Sequence, residues 1–223
     1  MSNRKLPVHG FVLAGGKSSR MGQDKALLPF LGRPMIEIAV EKLQEFCAEV
    51  SIVGNREDLQ VFAPVVREER LNVGPAAGVE AGLFAAMQPW TMFIPVDVPL
   101  VPLEVLRTWV AAVIEQKAAG YGASCLLLNQ QRQPAFCMMR RECYGSVTLA
   151  LERGERRLDD ILMSLDKDKE VGGIWVCDVA KLAYTSNPYL DRKLWFSNVN
   201  TPQELVEAEA WAVASKVGAR VTY

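Results

Sequence analysis

Three groups of residues have the types and spacing to handle phosphate chemistry. The first is the loop Leu13-Ala14-Gly15-Gly16-Lys17-Ser18-Ser19-Arg20-Met21-Gly22-Gln23-Asp24-Lys25. Its glycines let the backbone approach a ligand, and its N–H groups can line an anion-binding concavity. Lys17, Arg20 and Lys25 stand against Asp24 alone, a balance suited to a triphosphate. It is not a Walker A loop: Gly16-Lys17-Ser18 needs a glycine at position 11, where Phe11 stands. Nor does it contain G-x-G-x-x-G. A basic surface loop is the plainer alternative, disfavoured by the buried strand directly before it.

The second group is Asp97, at the end of an apolar run and between Pro95 and Pro99. A carboxylate so placed is poorly solvated but well suited to magnesium, which takes one or two carboxylates and completes its shell with phosphates and water. The alternative is a cap for a helix starting near Pro102. The third group is Asn198-Val199-Asn200, whose alternation puts both amides on one side; Asn200 alone could equally be a turn residue. Arg132, Arg140, Arg141, Arg153, Arg156 and Arg157 could recognise a second phosphorylated substrate, although singly most read as solvated charges.

Strands alternating with helices must position these groups. Val8 to Ala14 reads as a buried strand, Ile36 to Cys47 as a helix and Val50 to Val53 as a strand. A short strand at Val65-Val66 precedes a helix opened by Gly74-Pro75. Trp90 to Val96 is the most apolar strand, and a helix through Leu103 and Ile114 follows. Ala123 to Leu128 and Ala135 to Met139 flank a polar turn over Asn129 to Gln133. Then come helices near Glu142 to Glu152 and Leu158 to Leu165, and a strand near Ile174 to Cys177. A capping box, Thr201-Pro202-Gln203-Glu204, opens a helix to about Val217. This order predicts an α/β fold, a mostly parallel sheet covered on both faces, with ligands at the carboxyl ends of the strands.

Composition narrows the function. The net charge is −1, which argues against a nucleic-acid surface. Residues 1–33 nevertheless carry six cations against Asp24, so a basic pocket is compatible with that average. The longest charge-free run, Ala81 to Val96, is too short for a membrane span of about 20 residues. No signal-peptide core follows Arg4-Lys5, and the sequence predicts a cytoplasmic protein. The 5 cysteines form no C-x-x-C pair and read as buried small hydrophobes. His9 is the only histidine and opens a strand, so histidine-based catalysis is not expected.

Leu13 to Gly22, followed by Asp24-Lys25, closely resembles the signature of the MobA-like molybdenum cofactor guanylyltransferases. So do Gly74-Pro75-Ala76-Ala77-Gly78, Pro95-Val96-Asp97-Val98-Pro99, Gly154-Glu155-Arg156-Arg157 and Asn198-Val199-Asn200-Thr201-Pro202, in family order over nearly the whole chain. The resemblance implies a single Rossmann-like three-layer domain over residues 1–223, of the nucleotide-diphospho-sugar transferase type. It implies transfer of GMP from GTP to molybdenum-bound molybdopterin. Gly15-Gly16, where cytidylyl and sugar relatives tend to have Ala-Gly, points toward the guanine branch.

By the same resemblance Leu13, Ala14, Gly15, Gly16, Lys25, Asn55, Glu69, Gly78 and Asp97 bind nucleotide, and Asp97 holds Mg2+. Arg20 and Lys25 stabilise the leaving pyrophosphate, while Arg156, Asn198 and Asn200 meet the acceptor. Two positions depart from the pattern. The guanine-side asparagine aligns with Val53, leaving Asn55 nearby, and the acidic residue before Gly74 has only Glu68 or Glu69 as a stand-in. Rival readings are a molybdopterin cytidylyltransferase, a sugar-phosphate nucleotidyltransferase, and a non-catalytic nucleotide-binding protein that delivers cofactor. Delivery implies transient contacts with cofactor-supplying or molybdoenzyme-maturation proteins.

Overall fold

In the computed structural model, residues 5–15, 24–70, 73–115, 120–168, 171–182 and 192–220 are described. The chain runs β1 (Leu6–Leu13), a 3-10 turn (Lys25–Leu27), β2 (Pro29–Phe30), β3 (Arg33–Pro34), α1 (Met35–Gln44) and β4 (Cys47–Val53). A 3-10 turn (Glu57–Val61), β5 (Val65–Val66), α2 (Pro75–Phe84), β6 (Trp90–Pro95) and α3 (Leu103–Ile114) follow. Next come β7 (Ala123–Leu128), β8 (Gln131–Arg140), α4 (Tyr144–Glu152), α5 (Leu158–Asp166) and β9 (Ile174–Asp178). Short helices α6 (Val179–Leu182) and α7 (Arg192–Trp195) precede α8 (Pro202–Arg220).

Seven strands form one sheet in the order β5-β4-β1-β6-β8-β7-β9, and β2 and β3 form a separate hairpin. All pairings in the large sheet are parallel except those of β8 with β6 and β7. The chain leaves β1 for β4 on one side and returns through α2 to β6 on the other. The carboxyl ends of β1 and β6 are therefore the place where strand order reverses, and a crevice opens there.

Alternation along β1 explains why both faces are covered. Val8 and Val12 enter one core with Met35, Ile36, Val40 and Leu43 of α1 and Trp109 of α3. Phe11 and Leu13 enter the other with Ala76, Val79 and Leu83 of α2 and the apolar faces of α4 and α5. α2 lies close on the sheet because a Cβ at Gly82 would collide with the Phe93 ring.

The elements match the sequence pattern, with differences at several borders. β4 begins at Cys47 rather than Val50, since Leu6 N–H already pairs with Phe46 O at 2.7 Å. β8 begins at Gln131, so the polar run is mostly strand: pairing with Leu126–Leu128 needs backbone groups rather than apolar side chains. Only Asn129 and Gln130 remain in the turn, at φ 48° and 65°, as a tight hairpin demands. The register slips where Gln133 and Cys137 pair with Leu126 and Cys125, leaving residues 134–136 as a bulge. Pro134, without an N–H, sits in that bulge. At α8 the cap is shifted by one residue: Glu204 N–H donates to Thr201 Oγ1, but the Glu204 carboxylate accepts from Asn200 N–H rather than Thr201 N–H.

The five cysteines are buried and none forms a disulfide, and burial pushes the Cys47, Cys125, Cys137 and Cys143 thiols up. Among the described residues, no helix is long and apolar enough to cross a membrane.

His9 is buried against Phe11, ring to ring at 4.1 Å. Met87 N–H donates to Nδ1 at 3.3 Å, which assigns the hydrogen to Nε2, 3.0 Å from Ser51 Oγ. Burial lowers its pKa from 6.5, against an opposing pull from Glu49. The unfolded chain therefore takes up this proton first as pH falls, so the stability it contributes is present above 6.5 and is lost below it, down to the lower native pKa. Urea titrations at about pH 7.5 and about pH 5.5 should show wild-type stability dropping on acidification, with a smaller drop in His9→Gln. Equal pH dependence in the two proteins would overturn this assignment.

Candidate functional site

The crevice between the ends of β1 and β6 is a cavity of about 260 Å³ lined by Leu13, Ala14, Gly15, Lys25, Pro75 and Asp97, among others. Its height is set by register: Leu13 pairs with Pro95, so the residues after both strands emerge side by side. Lys25 Nζ lies 3.2 Å from Asp97 Oδ2 and also donates to Asn200 Oδ1. Both charged side chains are about one-fifth exposed, 23% and 18%, so the pair is screened less than a surface pair but can still be reached by a ligand.

Each partner has its own support. Asp24 accepts from Ala26 N–H at 3.0 Å, starting the turn that carries Lys25, and its other oxygen is ion-paired with Arg56. Val199 N–H donates to Asp97 O at 2.8 Å, tying the segment before α8 to the end of β6. Asp97 does not cap α3, whose N-cap residue is Pro102. The amino end of α2 reaches the cavity at Pro75, and Gly74, at φ 82°, makes the turn that a side chain would strain. A helix of ten residues presents a favourable dipole to anions at that end.

The other predicted residues divide. Leu13, Ala14, Gly15, Lys25 and Asp97 converge, while Gly16 and Arg20 lie outside the described residues. Gly78 is buried in the packing of α2 on Leu13 and Val53, where a Cβ would stand 3.0 Å from Leu13 Cδ2; it serves close approach rather than lining the cavity. Glu69 is exposed and borders a different groove with Arg67 and Arg70. Glu68 is the acidic residue beside the loop: its carboxylate lies where a Cβ on Gly15 would be, and within 3.1 Å of one on Gly78. Burial raises its pKa.

Asn55 is exposed and follows Gly54, whose N–H pairs with Val66 O. Val53 is fully buried, so it offers no side chain to a base. Asn198 and Asn200 border one 640 Å³ groove with Leu100, Phe196 and Trp211, and Asn200 also reaches Lys25. The arginines do not converge. Arg132 is paired with Asp159, Arg140 lies over Trp90, and Arg156 donates to Leu151 O and Glu155 O. Among the described residues no cluster of three or more His, Cys, Asp or Glu side chains could hold a metal.

Residues 10–169 match the MobA-like NTP transferase domain. The chain belongs to the MobA-like NTP transferase family. Among relatives of this MobA-like chain, the molybdenum cofactor guanylyltransferase of Polynucleobacter asymbioticus is 32% identical over 211 residues, covering 91% of the chain and 96% of the relative. The crystal structure of molybdopterin-guanine dinucleotide biosynthesis protein A from Archaeoglobus fulgidus matches with TM-score 0.70 and 25% identity, covering 93% of this chain and 99% of its own. The 2-C-methyl-D-erythritol 4-phosphate cytidylyltransferase of Thermus thermophilus matches with TM-score 0.60 at 19% identity, over 91% of this chain and 98% of its own, a likeness of fold. The MobA-like chain thus has the nucleotide-diphospho-sugar transferase type of α/β fold.

Proposed function

We propose that the chain is a molybdenum cofactor guanylyltransferase, joining GMP from GTP to molybdenum-bound molybdopterin and releasing pyrophosphate. The observation that carries this reading is Lys25 Nζ shared by Asp97 and Asn200 at the mouth of a nucleotidyltransferase crevice. The guanylyl specificity is supported by the names of full-length relatives.

The reaction needs no protein nucleophile. The described cavity lining offers no Ser, Cys or His, and its carboxylates Asp24 and Asp97 are paired with Arg56 and Lys25. A terminal phosphate oxygen of the acceptor attacks the α-phosphorus in line. The new P–O bond forms as the α–β bridging bond breaks, and its electrons leave on pyrophosphate. Gly15 and its loop admit the triphosphate to the backbone. Lys25 donates to the phosphate oxygens as charge passes to the leaving group, a role that the family signature also gives to Arg20. Asn198 and Asn200 orient the acceptor, and the signature Gly154-Glu155-Arg156-Arg157 supports Arg156 as a contact for its phosphate.

Magnesium fits Asp97, a single hard-oxygen donor in a polar, reachable cleft, with the remaining ligands supplied by phosphates and water. Bound there, it supplies charge neutralisation at the α-phosphate. Glu68 is the base-side acceptor: a carboxylate pairs with the N1–H and 2-amino donors of guanine together, which no other common base presents on one edge.

Asp97→Ala should lower turnover by at least about 10²–10³-fold; near-normal magnesium-dependent pyrophosphate release by that variant removes Asp97 from the mechanism. A panel of the four nucleoside triphosphates with molybdenum-loaded molybdopterin should favour GTP. A preference for CTP leaves nucleotidyl transfer standing and overturns guanylyl specificity, and nucleotide binding without product supports a carrier instead. Glu68→Gln should lower kcat/KM for GTP by roughly 10- to 150-fold, the worth of hydrogen bonds to a charged group. It should also narrow the gap between GTP and ITP, which lacks the 2-amino group; an unchanged gap counts against Glu68.

A further inference from the structure

Lys42 is a cation that the proposed reaction leaves unused. It lies on α1, with its stem half-buried, and its ammonium group ends beneath the connection from β6 to α3. Nζ donates to Pro99 O and, at 2.9 Å, to Val101 O. Those carbonyls belong to residues 96–102, the segment that carries Asp97.

This segment has unusual needs. Val96, Val98, Leu100 and Val101 are all buried, which takes the backbone between them out of water. Pro99 and Pro102 supply no N–H, so the segment has few donors with which to satisfy its own carbonyls. Other contacts hold its two ends: Val96 N–H donates to Leu13 O, and Val199 N–H donates to Asp97 O. The middle is held by Lys42 through two carbonyls on either side of Leu100. The same burial lowers the pKa of Lys42 to about 8. An apolar residue at 42 would leave the two carbonyls without this donor.

We propose that Lys42 is a positioning residue for Asp97, holding the 96–102 segment at the height where the carboxylate meets Lys25 and the magnesium nucleotide. It acts through the Pro99 and Val101 carbonyls and does not touch substrate. The inference rests on the reading of Asp97 given above. A displacement of about 1 Å in a group that positions reactants can cost about 10²-fold in rate, so a modest loosening of this segment has a measurable effect.

The test compares Lys42→Met, Lys42→Arg and Val40→Ala. Val40 lies on the same helix, buried in the same apolar core as Leu100 and Val101, and carries no donor for the two carbonyls, so its truncation loosens α1 without removing those hydrogen bonds. Folding is followed by urea titration, catalysis by pyrophosphate release, and binding by calorimetry of GTP with and without magnesium chloride. Lys42→Met should lower kcat by at least about tenfold and raise KM for the magnesium nucleotide, and Lys42→Arg should recover most of both losses. Metal-free GTP binding should stay within about twofold of wild type, while the gain in affinity on adding magnesium should be lost.

A kcat for Lys42→Met no lower than that of Val40→Ala overturns the proposal. So does an equal loss of GTP affinity with and without magnesium, which marks a general collapse of the crevice. Should Lys42→Met not fold, Lys42→Gln is held to the same criteria. If wild type makes no product yet the magnesium-dependent gain in GTP affinity is lost only in Lys42→Met, the reading of the reaction fails and the positioning role stands.

Discussion

The contact of Lys25 with Asp97 and Asn200 joins three stretches of chain separated by 72 and 175 residues. An ammonium group in a partly closed cleft needs such acceptors, and the carboxylate needs the ammonium, because neither is well hydrated there. The mutual need makes the crevice demanding to build. Each stretch must arrive at the same height, and each is held by bonds of its own: Asp24 at the Lys25 turn, Val199 N–H at Asp97, and the cap of α8 at Asn200. In this state the cleft is largely self-neutralised. In the proposed reaction, an entering magnesium nucleotide would compete for both partners of this ion pair.

Packing sets that height. β1 and β6 are parallel neighbours in register, buried on both faces, so neither can slide without moving apolar side chains out of two cores. On one face α2 sits close because Gly78 and Gly82 lack side chains, and this brings its amino end to the cavity. On the other face α1 carries Lys42 to the carbonyls behind Asp97. The bulge at 134–136 belongs to the same arrangement, since Ala135 within it lines the cavity. Catalysis by positioning and charge depends on such rigid supports more than on any single reactive side chain.

Much of this was legible along the chain. Apolar runs and helical spacing marked the strands and helices that form the sheet, and Gly15, Lys25, Asp97 and Asn200 stood out by residue type next to strand ends or a helix start. The polar start of β8 was not legible, because hairpin pairing uses backbone groups that carry no sequence signature. Neither was the choice of Glu68 over Glu69. Adjacent residues of the same type differ only in which way each points, and the chain path around Gly15 and Gly78 decides that. Gly78, which the family resemblance assigns to the nucleotide, is packed against Leu13 and Val53, and short-range spacing does not reveal that close approach.

Local chemistry therefore determined, by itself, the α/β alternation, the basic glycine loop and the family signature, since these follow from side-chain type and short-range spacing. Which charges meet was decided only by the tertiary structure. Lys25 finds Asn200, Asp24 finds Arg56 and Lys42 finds the carbonyls behind Asp97 through contacts between elements remote in sequence. The physical reason is that an ion pair or a buried hydrogen bond depends on separation, direction and loss of water, and all three are set by how the sheet and its two helical layers pack.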